Sequence, residues 1–390
     1  MKRRHLATFI GLMLLMMLIA GCGTATSEGA IKIGMMGQLS GGASFLGPSE
    51  EAAARIAVAE INAQGGLLGR DLEMIMCDTA TDAGTANECA KRFINENQVD
   101  AMFAASTSAS REAVLPVVEE NGKTLYFYNA IYEGHSCSEN MWIFGTMPEN
   151  QIFPVVPYMQ DEFGGNKWYF IGNDYNWPQN TLEISKQSFA ANGSELVGDK
   201  FVPIGTSDYT SILQDISEVK PDYILLIVLP SDAVAFMTQF HSLGLDANIK
   251  VIATLVEEST VEAMGEASNG LYISVGYHTS LDTPRNKAFL ENYYKVLGED
   301  AAVQNFISMH TYDAVRTWAL AVEKAGTLDY EAVAEALPTV TWDSPGGEVR
   351  LDASTHHAFL PISLVRVNAD GIGEVVHSFG TVDPGPQCDF

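Results

Sequence analysis

An α/β fold of two Rossmann-like lobes with parallel sheets is what this sequence predicts, and three observations predict it. Near-continuous apolar runs of β type alternate with helical patterns, which implies parallel sheets covered on both faces. The alternation begins again after Pro148, so the series occurs twice. With 390 residues the chain exceeds the usual size of one domain, and two lobes are expected.

The first residues carry an address. "MKRRHLATFIGLMLLMMLIAGC" opens with Lys2, Arg3 and Arg4 and continues as 14 apolar residues from Ala7 to Ala20. A bilayer span needs about 20 such residues, so residues 1–21 read as a cleaved signal peptide. The ending "LIAGC" resembles a bacterial lipobox, which would make Cys22 the lipidated first residue of the mature chain and 22–30 its tether. One lipidated terminus holds a domain at a membrane surface without threading it through. The alternative is an ordinary signal peptide with an incidental cysteine.

Beyond the tether, "IKIGMM" (31–36) reads as a strand. A Gly-rich loop then leads to Ser49 as N-cap, with Glu50 and Glu51 in the first turn, where the helix dipole favours acids. Ala53, Ile56, Ala57 and Ile61 form one helical stripe, which Gly65-Gly66 stops. "LEMIM" (72–76), a helix over 84–97, "AMFAA" (101–105), a helix over 110–121 and "TLYFY" (124–128) complete the first series. In the second, "KWYFIG", "DYILLIVL" and "KVIAT" alternate with helices near 178–192, 208–219 and 231–243. The long stretch "NFISMHTYDAVRTWALAVEKAG" reads as one helix, and "LPISLVRVNADGIGEVVHS" as a hairpin turning at "NADG".

The formal charge is −27; residues 1–21 hold three of the 22 Lys+Arg and none of the 49 acids, so beyond them it is −30. Nucleic acid, whose binding rests on cationic contacts to phosphate, is excluded as a partner. Besides Cys22 there are Cys77, Cys89, Cys137 and Cys388, with no CxxC pair and no zinc-ligand spacing. Cys77 and Cys89 are near enough in sequence to pair, but the sequence alone leaves the pairing of the four open. No G-x-S-x-G elbow, H-E-x-x-H or P-loop motif is present, and no cofactor or metal is expected. His356-His357, in a polar segment, reads as solvent-exposed.

In open parallel sheets ligands bind beyond the carboxyl ends of the strands. With two such lobes the natural site is the cleft between them, where closure traps the guest. "GNDYNWPQ" (172–179), directly after the apolar "WYFI", therefore poses a choice: a hydrophobic plug at a helix start, or the wall of a pocket.

The series "IKIGMMGQLSGGASFLGPSEEAAARIAVAEINAQGGLLGRDLEMIMCD" resembles the start of type I periplasmic solute-binding proteins of ABC transporters. "STSASREAVLPVVEENGKTLYFYNAIYEGHSCSEN", "GNDYNWPQ", "SLDTPRNKAF" and "SPGGEVRLDASTHHA" are similar to one branch, the urea- and short-chain-amide-binding receptors, related to the branched-chain amino acid receptors. The likeness implies two lobes joined by a multi-crossover hinge: 31–147 with 277–345, and 148–276 with 346–390. It also implies a urea, amide or amino-acid-like ligand and delivery to ABC permease subunits.

Site candidates follow from residues and resemblance together. "AASTSASRE" runs from a strand end crowded with hydroxyls into a helix start, which suits a carbonyl or carboxylate oxygen. Ser108 matches the family's ligand-contacting serine and Ser106 lies beside it; helix capping by Ser108 or Ser110 is the plainer role. Tyr128 stands where the amide branch places a pocket aromatic, while Tyr132 reads as structural. Strand alternation fails at Asp174, Tyr175 and Trp177. Tyr175 matches the family's ligand-packing tyrosine, and Trp177 stands where the branch has another aromatic. An aromatic wall of this kind suits a small, flat polar guest. Ser231 either caps the next helix or offers its hydroxyl to the cleft. Glu257 either accepts N–H groups of the ligand or is a helix-start acid. Tyr277 faces either pocket or hinge. Two departures from the branch stand out: Asn129-Ala130-Ile131 replaces a Pro-rich segment, and Gln179 stands where Arg is usual. A ligand sensor of the amide-receptor type, or an amide-processing enzyme, are the rival functions; the export signal and tether favour transport.

Overall fold

A computed structural model describes residues 29–104, 107–134, 136–385 and 388. The expected signal peptide, Cys22, the tether as far as Glu28, and Ser106 lie outside these residues.

Ile31–Gly37 (β1), Leu72–Asp78 (β2), Ala101–Ala104 (β3), Leu125–Tyr128 (β4) and Met141–Ile143 (β5) form a parallel sheet in the order β2-β1-β3-β4-β5. Ile33 lies opposite both Met74 and Ala101, and Ala101 opposite Leu125. Both faces are covered, as the apolar runs demand. Ile31, Ile33 and Met35 pack with Ala53, Ile56 and Ala57 of the helix Gly47–Ala63 (α1). Met36 points the other way, among Cys89 of Ala83–Arg92 (α2), Phe93, and Val114 of Ser108–Asn121 (α3). Burying an Ile or Phe completely contributes about 1.5–3 kcal/mol. Gly34 sits on this second face, where a Cβ would come within 2.6 Å of the Phe93 ring.

Pro148–Gln151 (α4) and Val155–Phe163 (α5) lead the chain to a second sheet. Its strands are Lys167–Asn173 (β6), Glu195–Val202 (β7), Tyr223–Ile227 (β8), Lys250–Ala253 (β9), Tyr272–Val275 (β10), Thr341–Ser344 (β11), Gly347–Leu351 (β12), Ala358–Val367 (β13) and Gly373–Val382 (β14). The order is β11-β12-β13-β10-β9-β8-β6-β7, with β14 paired to β13. The strands from β7 to β10 are mutually parallel and flanked by Asn176–Ala191 (α6), Thr210–Val219 (α7), Pro230–Ser242 (α8) and Glu258–Met264 (α9). From β13 outward the pairing is antiparallel. The second sheet is therefore mixed rather than parallel throughout, because the hairpin at "NADG" docks on the edge of β10.

Between β10 and β11 the chain leaves this sheet. Pro284–Leu297 (α10) and Phe306–Ala325 (α11) both pack on α1, and Tyr330–Ala336 (α12) packs on α11. The backbone thus passes between the two halves after β5, after β10 and after α12. A backbone bond from Ile143 to the His356 carbonyl (2.9 Å) adds a fixed contact beside these crossings.

Two local expectations are corrected. Ser49 is not an N-cap: α1 starts earlier, at Gly47 with Pro48, and Ser49 lies inside the first turn. Its hydroxyl donates to the Leu46 carbonyl and accepts from Asn305 Nδ2 (2.9 Å), so it docks the capping residue of α11 on α1. The histidine pair is not solvent-exposed either. His357 is fully buried with its ring edge-on to Tyr132, and His356 stacks on Trp142 at 3.8 Å between centroids.

Asp313, inside α11, accepts a hydrogen bond from Trp342 Nε1 at 2.9 Å. Burial pushes its carboxyl up to about 7, against the smaller opposing effects of the Ser344 and Trp342 bonds. A carboxyl raised on folding contributes stability in full below its unfolded value, about 3.9, and that contribution is lost as the pH rises to about 7. Asp313→Asn keeps an acceptor for Trp342 and cannot ionise. The variant should therefore gain on the wild type between about pH 4 and pH 7 in urea denaturation and level off above that; a constant difference across this window would mean that the Asp313 carboxyl is not raised by folding.

Candidate functional site

Strand ends of both halves converge on one cavity. From the first half come Gln38, Ala43 and Leu46 after β1, Thr107 and Ser108 at the start of α3, Tyr128, Ala130 and Ile131 at and after the end of β4, and Ile307 in the first turn of α11. The second half supplies Tyr175 and Trp177 after β6, Leu229 after β8 and Leu255 after β9. All of the strand-borne groups lie at or beyond carboxyl ends, the position that open α/β sheets reserve for ligands. The space left is tight, about 30 Å³ open to the centres of water molecules; one water needs roughly 10–15 Å³ by that measure. The lining is largely aliphatic and aromatic, with Gln38, Thr107 and Ser108 as polar side chains beside the tyrosines Tyr128 and Tyr175.

Thr107, not Ser108 or Ser110, caps α3: its Oγ1 accepts from the Ser110 N–H. That leaves the Ser108 hydroxyl for another partner, and it donates to Glu133 Oε2 at 2.8 Å. Glu133 is in turn held by Arg111, whose Nη2 reaches Oε1 at 2.9 Å and whose Nη1 reaches Oε2 at 3.4 Å. Both side chains of this ion pair are completely buried. The Arg111 guanidinium also sits 5.0 Å from the Tyr128 ring centroid and 4.7 Å from that of Tyr132, an arrangement in which ring quadrupoles help to hold the charge. Burial pulls the Arg111 pKa down, and the Glu133 charge more than reverses this, so the guanidinium stays protonated. Burial also raises the Tyr128 phenol, which stays neutral.

Across the cavity, Tyr175 is the N-cap residue of α6, in extended conformation. Its side chain is half-buried, and burial, followed by the Glu133 charge, raises its phenol. Trp177 is buried, with its ring 6.2 Å from that of Tyr175. The plug and the wall are therefore one feature, since the aromatic pair both starts the helix and lines the cavity. At the rim Asn176 Nδ2 donates to Glu112 Oε1 at 2.9 Å, joining α6 to α3 across the cleft.

The geometry brings Ser108, Tyr128, Tyr175 and Trp177 together. Asp174, Ser231, Glu257 and Tyr277 are not among the lining residues. Asp174 is exposed and accepts from Gln179 Nε2. Ser231 lies inside α8, capped by Leu229, and bonds to Asp232. Glu257 is the N-cap of α9 and accepts from the N–H groups of Ser259 and Thr260, both at 2.9 Å, the plainer of its two expected roles. Burial raises its carboxyl against these bonds. Tyr277 is buried and donates to Asn286 Oδ1 of α10 at 2.7 Å. Among residues that the sequence reading passed over, Arg111 and Glu133 stood inside the quoted segments "TSASRE" and "YEG". Asp232 also went unnoticed; it is buried and accepts from the N–H groups of Gly205 and Thr206, tying the loop after β7 to the first turn of α8.

Two α/β halves closing on a shared cavity define the class of two-lobed binding proteins. The chain belongs to the periplasmic binding protein family, whose model matches residues 30–372; this is a family of solute-binding proteins. A Leu/Ile/Val-binding protein homolog 6 of Brucella suis is 24% identical over 352 residues, covering 88% of this chain and 89% of its own. A leucine-, isoleucine-, valine-, threonine- and alanine-binding protein of Pseudomonas aeruginosa is 23% identical over 339 residues, covering 86% and 90%. Among solved structures, a Rhodopseudomonas palustris solute-binding protein in complex with 4-hydroxybenzoate superposes with a TM-score of 0.82 at 23% identity, covering 91% of this chain and 98% of that one. At this identity such likeness speaks for the fold, here that of type I periplasmic binding proteins.

Proposed function

We propose that this chain is an exported lipoprotein, anchored through Cys22, that captures a small polar solute in the cavity between its lobes and delivers it to an ABC permease. Residues 31–147 with 277–345 form one lobe, and 148–276 with 346–390 the other. The solute is urea, a short-chain amide or an amino acid; the names of the relatives point to aliphatic amino acids and the benzoate-type complex to flat aromatic acids. The observation that carries this reading is the cavity wall, in which Tyr175 and Trp177 of one half face Ser108 and Tyr128 of the other. A guest seated there touches both lobes, so its binding favours the closed form. Closure presents a surface that a permease distinguishes from the open form.

Tyr175→Ala and Trp177→Ala should each weaken binding by about 1–3 kcal/mol, the worth of a buried aromatic contact, in folded protein. Calorimetry against urea, short amides, branched-chain amino acids and hydroxybenzoates measures it. Unchanged affinity in both variants would return "GNDYNWPQ" to a purely structural role.

A further inference from the structure

We infer that Glu133, acting through Ser108, sets the hydrogen-bond polarity of the cavity and makes it select a neutral amide head group over the carboxylate of the same skeleton. This rests on the cavity being the ligand site. A serine or tyrosine hydroxyl has one hydrogen to give. The hydrogen of Ser108 goes to Glu133 Oε2 at 2.8 Å, because an ionised carboxylate only accepts. The hydrogen of Tyr128 is also used within the protein, toward the Ile131 carbonyl at 3.3 Å. Tyr128 and Ser108 are themselves hydrogen-bonding neighbours. Whichever of these acceptors Tyr128 serves, neither hydroxyl has a hydrogen left for a guest. Ser108 therefore meets the guest as an acceptor.

Glu133 cannot turn away from this task. Arg111 grips both of its oxygens, and both side chains are buried. Beside Ser108, the first turn of α3 presents backbone N–H donors. A primary amide satisfies this pairing of acceptor and donor: its carbonyl faces the helix N–H groups and its NH2 faces Ser108. A carboxylate gains the same N–H contacts, but its second oxygen meets a hydroxyl lone pair with the Glu133 charge behind it. Glu133 touches no ligand atom in this arrangement and is a positioning residue.

Glu133→Gln reverses the polarity. Arg111 has only donors, so it holds the carbonyl oxygen of the substituted side chain, whose NH2 is left to donate to Ser108. The Ser108 hydrogen is then released toward the cavity. The test is calorimetry with matched probes, isobutyramide against isobutyrate and benzamide against benzoate, on wild type, Glu133→Gln and Ser108→Ala, each confirmed folded by circular dichroism. In the wild type the better-binding amide should exceed its carboxylate at least tenfold. The ratio should fall tenfold or more in Glu133→Gln and approach one in Ser108→Ala; the latter variant decides if Glu133→Gln does not fold. A carboxylate bound as tightly as its amide by wild type, or a ratio unchanged in the folded variants, overturns the inference while leaving solute capture intact. Binding of isoleucine with neither amide bound also overturns it alone. If urea, both amides, both carboxylates and the branched-chain amino acids all fail to bind, solute capture in this cavity falls with it.

Discussion

Glu133→Ala is expected to cost about 3–5 kcal/mol of stability, because it strands a guanidinium that has no route to water. Arg111 and Glu133 are both completely buried, and two hydrogen bonds join them. Removing the acid leaves the positive charge with Ser136 Oγ at 3.3 Å and two tyrosine faces, none of which carries a compensating charge. Glu112 approaches Arg111 at 4.0 Å, but its side chain is half exposed and solvent weakens the attraction. The pair itself adds little over an apolar replacement, since each ion was desolvated to form it. The double variant Arg111→Met/Glu133→Leu should therefore recover most of the loss. Urea denaturation followed by circular dichroism measures both. A loss below about 1 kcal/mol for Glu133→Ala would mean that the guanidinium reaches solvent.

The same pair marks where sequence reading stops. The strands β1, β3, β4, β6, β8 and β9 were legible because each shows as a near-continuous apolar run, most of it buried, and the edge strand β2 was legible from "LEMIM" although most of it is only half-buried. The edge strand β7, "ELVGDKFV", is largely half-buried or exposed and carries no such run, and β5 is only three residues long. Tyr175 and Trp177 were legible as pocket residues because "GNDYNWPQ" breaks strand alternation directly after a strand. Arg111 and Glu133 were not, since a charged residue in sequence reads as solvated until a partner 22 positions away is placed beside it. Glu257 shows the converse: a carboxylate at a strand end in the second half looked available to a ligand, but the hydroxyls and N–H groups of Ser259 and Thr260 in its own helix occupy it. Local bonds won because they cost no loop closure.

Cys388→Ser should lower stability by about 2–5 kcal/mol, and by more than Cys89→Ser does. Cys77 pairs with Cys89 across 12 positions, whereas Cys137 pairs with Cys388 across 251. A cross-link restricts the unfolded chain more as the loop it closes grows, which makes the longer bridge worth about 2–3 kcal/mol more on chain entropy. The two bridges also differ in place. Cys77 and Cys89 join β2 to α2 on one face of the first sheet. Cys137 precedes β5 of the first sheet, while Cys388 follows β14 of the second, so the longer bridge ties the two halves covalently. Tyr132 packs against it, with its hydroxyl 3.5 Å from the Cys388 sulfur, and links the bridge to the Arg111 site. An oxidising compartment, which membership of the periplasmic binding protein family implies, keeps both bonds formed. Denaturation of the two single variants beside wild type measures the order, and an equal or larger loss for Cys89→Ser would show that local packing around the sulfurs, rather than loop length, governs what these bridges contribute.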